Sequence, residues 1–594
     1  MVNRPRPWTT LVACLAVAWT GITARAEVER VNTEPGSGIT IEIEGWAGIG
    51  TPASGRDTGL VPLEVTITNA SPAAHVWTIG PDERFGRHNR PLPTATLAVP
   101  AGGTGRTTLF IAVDLIGSQM LAVQGHAVVG GASLVNLSEN PMPGSDPEEI
   151  AAFRVARGQS KRVLAARAGR PADVTYVPLD MARAPTDWRG WSAFRKVLLT
   201  ADEWAAMSAG GRKAALEWVS LGGHLVVFAA QRDEPRADLP AGLHGGGKWF
   251  AGEVKLVSWD GTVITEETMS AVGVGPNGMS ASLATYHGQS DGIPMHGRGY
   301  GMVHDSGWAP GFGALADMFG PRTLPVAAIL AFLAVFGIVA GPLNVMVFAG
   351  PGRRARMFWT TPAISLAATI FLLALMFLRD GVGGAGARRV LAMLDPARNS
   401  MAVVQEQFSR TGVLFGSSFP IREPAWMHPL MDVGGDEPLV EIDGATRSGG
   451  WFRSRSDQAY VVEAVRPSRA RIEFVPRPDA AGLPAVVSSV EVPLRRVFVI
   501  DAEGLFWQGL DVGTGEKKPL QPADAADYDT WFDGLVADAG PLRKQALVAV
   551  RGLRGHAFAE SDRPAKVAVQ TLPAIRWIDD RAVFVCPTAS GDAP

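Results

Sequence analysis

The sequence predicts a multidomain α+β protein: a small β-sandwich, an α/β domain with a parallel sheet, a two-helix transmembrane hairpin and a C-terminal β-sandwich-like region. Three observations carry this. Two long apolar runs are free of charge, short alternating strands flank them on both sides, and one strand–helix–strand pattern lies ahead of them. With 594 residues the chain exceeds what one hydrophobic core can organise, so several domains are expected.

The N-terminus sets the compartment. Arg4 and Arg6 precede an apolar stretch from Leu11 to Ile22, and Ala24-Arg25-Ala26 stands before Glu27. These are the parts of a cleavable secretory signal peptide over residues 1–26. Leu11-Val12-Ala13-Cys14 also fits a lipoprotein signal, but too little apolar chain precedes Cys14. Once the signal is removed, Cys586 is the one cysteine left, which excludes an internal disulfide framework and any multi-cysteine metal site.

From Ile39 the chain alternates: Ile39, Ile41 and Ile43 against Thr40, Glu42 and Glu44, then Leu63, Val65 and Ile67 against Glu64, Thr66 and Thr68. With Thr107 to Val113 this is the spacing of an immunoglobulin-like β-sandwich over residues 35–130. The next segment changes character. Arg195 to Thr200 reads as a buried strand, Ser208 caps a helix carrying Ala214, Leu216, Trp218, Val219 and Leu221, and Gly222-Gly223 ends it before a strand from Leu225 to Ala229. With earlier strands at Arg162–Ala166 and Asp173–Val177, residues 150–312 are expected to form an α/β domain around a parallel sheet.

The apolar runs Leu324–Phe348 and Phe358–Leu378 each exceed the roughly 20 residues needed to cross about 30 Å of hydrocarbon as a helix. They are expected to span a membrane at residues 324–348 and 358–378. The connecting loop, residues 349–357, carries Arg353, Arg354 and Arg356 and no acid, so it is placed in the cytoplasm, with the large domains outside. Gly337 and Gly341 have the small-xxx-small spacing of close helix packing, with Ser365, Ala367 and Ala368 as partners within the hairpin. Asn344 is expected to reach carbonyls freed by Pro342. Past the hairpin, residues 385–594 resume short strands, at Val390–Leu394, Met401–Gln405, Tyr460–Val465, Ile472–Val475 and Arg496–Ile500, with Trp426, Trp451 and Trp507 as core anchors.

Composition and motifs argue against most chemistries. Lys and Arg number 55 against 58 Asp and Glu, a net charge of -3, so no basic field exists to bind nucleic acid. Gly288-Gln289-Ser290-Asp291-Gly292 matches the serine-hydrolase elbow as text, but Gly292, Pro294, Gly297 and Gly299 follow where that elbow needs a helix. His287, His296 and His304 are spaced nine and eight residues apart, which fits no local metal-ligand pattern. Asp524, Asp527, Asp529 and Asp533 interleave with Tyr528, Trp531, Phe532 and Leu535 as the solvated face of an amphipathic helix.

The stretch Arg212 to Val227 resembles the helix and strand of class I glutamine-amidotransferase-like domains of bacterial membrane proteins. An active member needs a nucleophilic cysteine on a strand–helix turn, and residues 27–585 contain none, so the resemblance implies a degenerate copy. Gly341-Pro342-Leu343-Asn344, the arginine turn, Trp359-Thr360-Thr361-Pro362, and Phe498 to Gly504 leading to Gly509 to Glu516 are similar to an uncharacterised bacterial membrane protein family of this same layout. That resemblance implies architecture and no activity. The sequence therefore leads to a non-enzymatic envelope scaffold, without cofactors, whose outer domains bind a protein or glycan partner. The alternative is an accessory subunit of an envelope transport or secretion complex.

Overall fold

The computed structural model describes residues 28–46, 59–81, 91–112, 120–133, 142–143, 162–168, 174–194, 196–230, 239, 243, 246–259, 315, 317–320, 326–350, 352–429, 437–476, 482–564 and 566–588. Among these the chain forms several sheets and six helices.

Two sheets enclose the N-terminal core, and the strands that this region contributes to each pair antiparallel. One joins Val28–Arg30, Ile39–Gly45, Leu60–Asn69 and Gly103–Ala112. Its alternation is the one read from the sequence: Ile41, Ile43, Leu63, Val65 and Ile67 are buried on one face, where they meet Trp77 and Ile79 of the second sheet. The second sheet contains His75–Pro81, Pro91–Val99, Met120–Gly125 and Ala132–Ser133, and it does not stop there. Leu439–Ile442, from far beyond the hairpin, pairs in parallel with Pro91–Val99, and Thr446–Gly449 and Phe419–Pro420 extend the sheet further. Thr96 N–H donates to the Asp443 carboxylate at 2.8 Å, which fixes that join.

The second body is a mixed sheet, which corrects the expected parallel one. Lys196–Thr200, His224–Ala229 and Gly252–Ser258 run parallel, whereas Arg162–Ala168 and Val174–Asp180 form an antiparallel pair and Gly247–Trp249 folds back on Gly252–Ser258. The reason is connection length. Parallel neighbours need a crossover of a dozen or more residues, and only five separate Ala168 from Val174. Helix α1, Ala201–Ala206, starts at a capping box between Thr200 and Glu203, and α2, Ala209–Ser220, starts at the Ser208 hydroxyl. Gly222, at a φ of +115°, closes α2 in a conformation that favours glycine.

Two helices form the hairpin. Helix α3 covers Val326–Ile338 and widens into π geometry over Val339–Phe348, and α4 covers Met357–Asp380. Pro342 lies inside the widened stretch; lacking an N–H and crowding the preceding turn, it accounts for the departure from α geometry. Both helices are long and apolar enough to cross a membrane, and their most apolar stretches are not buried in the protein.

Against a three-stranded sheet of Ile472–Val475, Ala485–Ser488 and Lys517–Pro519, the C-terminal body packs one large nine-stranded sheet. Its order is Ala425–Pro429, Asp457–Pro467, Ser400–Thr411, Gly384–Asp395, Ile575–Pro587, His556–Ser561, Leu494–Ile500, Phe506–Val512 and Gln521–Pro522. Side chains alternate between two cores. Val390, Ala392, Tyr460 and Val462 meet Trp451, Phe452 and Trp507 on one face. Leu391, Met393, Val404, Phe498 and Phe558 on the other meet Tyr528, Trp531 and Phe532 of α5, Ala525–Ala537, and Leu547 and Val550 of α6, Pro541–Val550. The same continuous core takes in Trp191, Trp218, Val219 and Val254 of the mixed-sheet body. The chain before the hairpin and the chain after it thus share one hydrophobic interior.

Candidate functional site

The hairpin joins the body at a fastened root. Helix α4 passes into the strand Gly384–Asp395 across Gly381, Val382 and Gly383. Val413 N–H donates to Gly381 O and Gly412 N–H to Gly383 O. A Cβ on Gly412 would lie 2.2 Å from Asp380 O, so only glycine lets the backbones approach this closely. Asp380 itself pairs with Arg455 at 2.6 Å. On the other side of the hairpin, Arg410 donates to Phe319 O and Gly320 O while bracing the Asp457 carboxylate through two further bonds. The segments entering and leaving the hairpin are held by neighbouring strands of one sheet.

Within the hairpin, the Asn344 amide donates to Thr361 Oγ1 at 2.9 Å, and the rings of Phe332 and Phe371 stack 5.8 Å apart. Asn344 thus bonds across to the second helix, where backbone carbonyls near Pro342 had been expected. A Cβ placed on Gly337 or Gly341 would meet nothing within 4 Å. Neither glycine sits at a close approach of the two helices, which corrects the expectation that they pack inside the hairpin. Arg353, Arg354 and Arg356 are exposed at the turn.

A second polar constellation lies inside the C-terminal body, where sequence reasoning saw none. Glu406 and Arg543 are almost fully buried and paired at 3.0 Å. The Glu406 carboxylate also accepts from Gly540 N–H and Arg543 N–H, so it neutralises the free amides at the N-terminus of α6. Arg543 donates on to Asp538 O, and Arg389 bridges Asp538 and Asp579. Every carboxylate here is held by a guanidinium, an arrangement that fastens helices to a sheet and offers no group poised for proton transfer.

A third cluster ties the three bodies together. Arg189 grips Asp187 in a bidentate pair, lies 3.6 Å from Glu441 and covers the Phe110 ring at 4.3 Å. Arg447 approaches Glu441 from the other side at 3.3 Å. Burial raises the Glu441 pKa against the pull of both cations.

Most residues weighed for chemistry fall elsewhere. Ser290, His287, His296 and His304 lie outside the described residues. Asp529 and Asp533 pair with Arg551 on the solvent face of α5, as the amphipathic pattern predicted. Burial pushes the Cys586 thiol up to about 12 despite the Ile472 N–H that its sulfur accepts, and this burial disfavours a reactive thiolate. Lys196, His224 and Glu253 stand in register across the three parallel strands, but where those strands begin, opposite the carboxyl ends at which open α/β sheets bind ligands. Among the described residues no group of three His, Cys, Asp or Glu side chains could hold a metal ion.

Glu463 gives a pH-dependent signature. It stands across from Val404 and Trp426 in the sheet, and burial alone pushes its carboxyl up to about 7. A folded-state pKa above the ordinary 4.5 means that the folded form holds the proton more tightly, so stability falls as pH rises from about 4.5 to about 7. Glu463→Gln is expected to flatten that fall and add on the order of 2 kcal/mol at pH 8, measured by denaturant unfolding across pH. An unaltered pH profile would contradict the assignment.

No family model matches the chain, and no curated protein matches it.

Proposed function

We propose that this chain is a non-enzymatic, membrane-anchored envelope scaffold. The hairpin crosses the bacterial cytoplasmic membrane, the arginine turn faces the cytoplasm, and the bodies on either side stand in the periplasm and bind a protein or glycan partner. The observation that carries the reading is the exposure of apolar side chains along both helices: Leu330, Val335 and Ile338 on α3, Leu366, Ile370 and Phe371 on α4. In water that surface costs about 25 cal/mol per Å², and in hydrocarbon the cost vanishes. The orientation rests on Arg353, Arg354 and Arg356 at a turn without acids.

On this reading the N-terminal sandwich is immunoglobulin-like, supported by two facing sheets whose N-terminal strands pair antiparallel. The mixed-sheet body is a degenerate amidotransferase-like domain, supported by α2 crossing between two parallel strands. Its catalytic silence rests on the sequence, since residues 27–585 hold no cysteine. The test is affinity capture of the full chain from detergent-solubilised membranes after crosslinking in cells. Repeated recovery of one envelope protein or glycan supports the scaffold, and repeated recovery of none contradicts it.

The open faces of Gly337 and Gly341 favour a second reading, an accessory subunit whose hairpin packs against another membrane protein in an envelope transport or secretion complex. Replacing both glycines with leucine should then dissolve the complex while the unfolding of the outer bodies stays unchanged. A complex that survives the double substitution rejects this reading.

A further inference from the structure

Beside the root, the loop spanning residues 412–418 carries an apolar tip. Phe415 is 80 % exposed, and its ring stacks 6.2 Å from Phe377, one turn before the end of α4. Val382, just past that end, is 63 % exposed, and Leu378 is 83 % exposed. Together these side chains continue the apolar surface of α4 outward, past the Asp380–Arg455 pair, onto the body itself. Left in water, an aromatic ring and two aliphatic side chains at one spot are a cost that an isolated surface residue does not incur.

The loop is also firmly held. Val413 bridges to Val382, Gly383 N–H donates to Val413 O at 2.9 Å, and Leu414 N–H donates to Ser454 Oγ at 2.9 Å. Arg455 N–H closes the base on Gly412 O. The tip is therefore presented in one place, beside the point where α4 ends.

From this we infer that Phe415 and Val382 form a third membrane contact, seated in the interfacial layer of the same bilayer that the hairpin crosses, while Leu414 turns back onto the core of the body. The inference rests on the hairpin spanning a membrane. Its occupant is lipid, argued from the unbroken apolar surface between α4 and the loop and from the arginines Arg379 and Arg455, at the level where headgroup phosphates would lie. A ring at this depth would fix the tilt of the body against the bilayer, which two helices joined by a short turn do not do alone.

The experiment uses the full chain, with Cys14→Ser, in liposomes of phosphatidylethanolamine and phosphatidylglycerol. Cys586 is buried, so single introduced cysteines take up a polarity-sensitive fluorophore selectively. The sites are Phe415→Cys, Val382→Cys, Ile370→Cys in the middle of α4 and Val76→Cys on the N-terminal sandwich. The expected result is blue-shifted emission at Phe415 and Val382, quenched more by a nitroxide near the lipid headgroup than by one at the chain end. The order reverses at Ile370, and Val76 is unaffected. If Phe415 behaves like Val76 while Ile370 reads hydrocarbon, the inference is overturned and the hairpin stands. If Phe415 is blue-shifted but no lipid-borne nitroxide quenches it, a protein covers the loop and the inference is again overturned. If Ile370 also reads water, the membrane reading and the inference fall together.

Discussion

Glu406→Ala is expected to destabilise the C-terminal body by about 3–5 kcal/mol, because it removes one partner of a buried ion pair and leaves the other behind. Arg543 would keep its bond to Asp538 O but lose its counter-charge, and the amides of Gly540 and Arg543 would lose their acceptor. The N-terminus of α6 would loosen with them, exposing Leu547 and Val550, which are buried in the shared core. The measurement is chemical denaturation of the detergent-solubilised protein followed by tryptophan fluorescence. The double variant Glu406→Leu/Arg543→Met is expected to recover most of the loss, since a well-packed apolar pair replaces a buried ionic one at little cost. A single variant no weaker than the parent would show that α6 does not depend on this capping.

Trp191→Ala should cost a comparable 3–5 kcal/mol and, in addition, uncouple two bodies. Trp191 is fully buried, its ring lies 5.0 Å edge-on from Trp46 at the end of the N-terminal sheet, and it stacks 6.1 Å from Trp218 on α2. Its indole N–H donates to Pro185 O, so truncation removes a large volume and a hydrogen bond together. In calorimetry the parent is expected to unfold its sheet-bearing bodies in one transition, and the variant in two. A single, unshifted transition would mean that the bodies are coupled elsewhere, with the Arg189–Glu441–Arg447 cluster as the nearest alternative.

What the sequence showed clearly were features written in local chemistry. The helical spans Val326–Phe348 and Arg354–Asp380 agree with the expected runs to within a few residues because charge is absent from one and confined to the ends of the other. The Ser208 cap and Gly222 mark the ends of α2 for equally local reasons. Long-range pairing left no such mark. Nothing in Leu439–Ile442 announces that it will join a sheet more than 300 residues upstream, because backbone hydrogen bonds are the same for any sequence.

Polar residues inside the core misled in the opposite direction. The expected strand from Met401 ends at Gln405, short of Glu406 and Gln407. The strand continues to Thr411, and all three residues are buried. Gln405 exchanges bonds with the backbone of Val569, and Glu406 caps α6. A buried polar group is legible only through its partners, and these lie more than a hundred residues away. Asn344 is the same case on a smaller scale, with Thr361 seventeen residues off.

The central claim is that the two apolar helices cross a bilayer and hold one body on its outer side. The most direct measurement is labelling of single cysteines with a membrane-impermeant thiol reagent on spheroplasts, at Arg354→Cys in the arginine turn and Val129→Cys on the sandwich, both in a Cys14→Ser background. The account predicts that Val129→Cys is labelled on intact spheroplasts and Arg354→Cys only after permeabilisation. Equal labelling of the two sites before permeabilisation would contradict it.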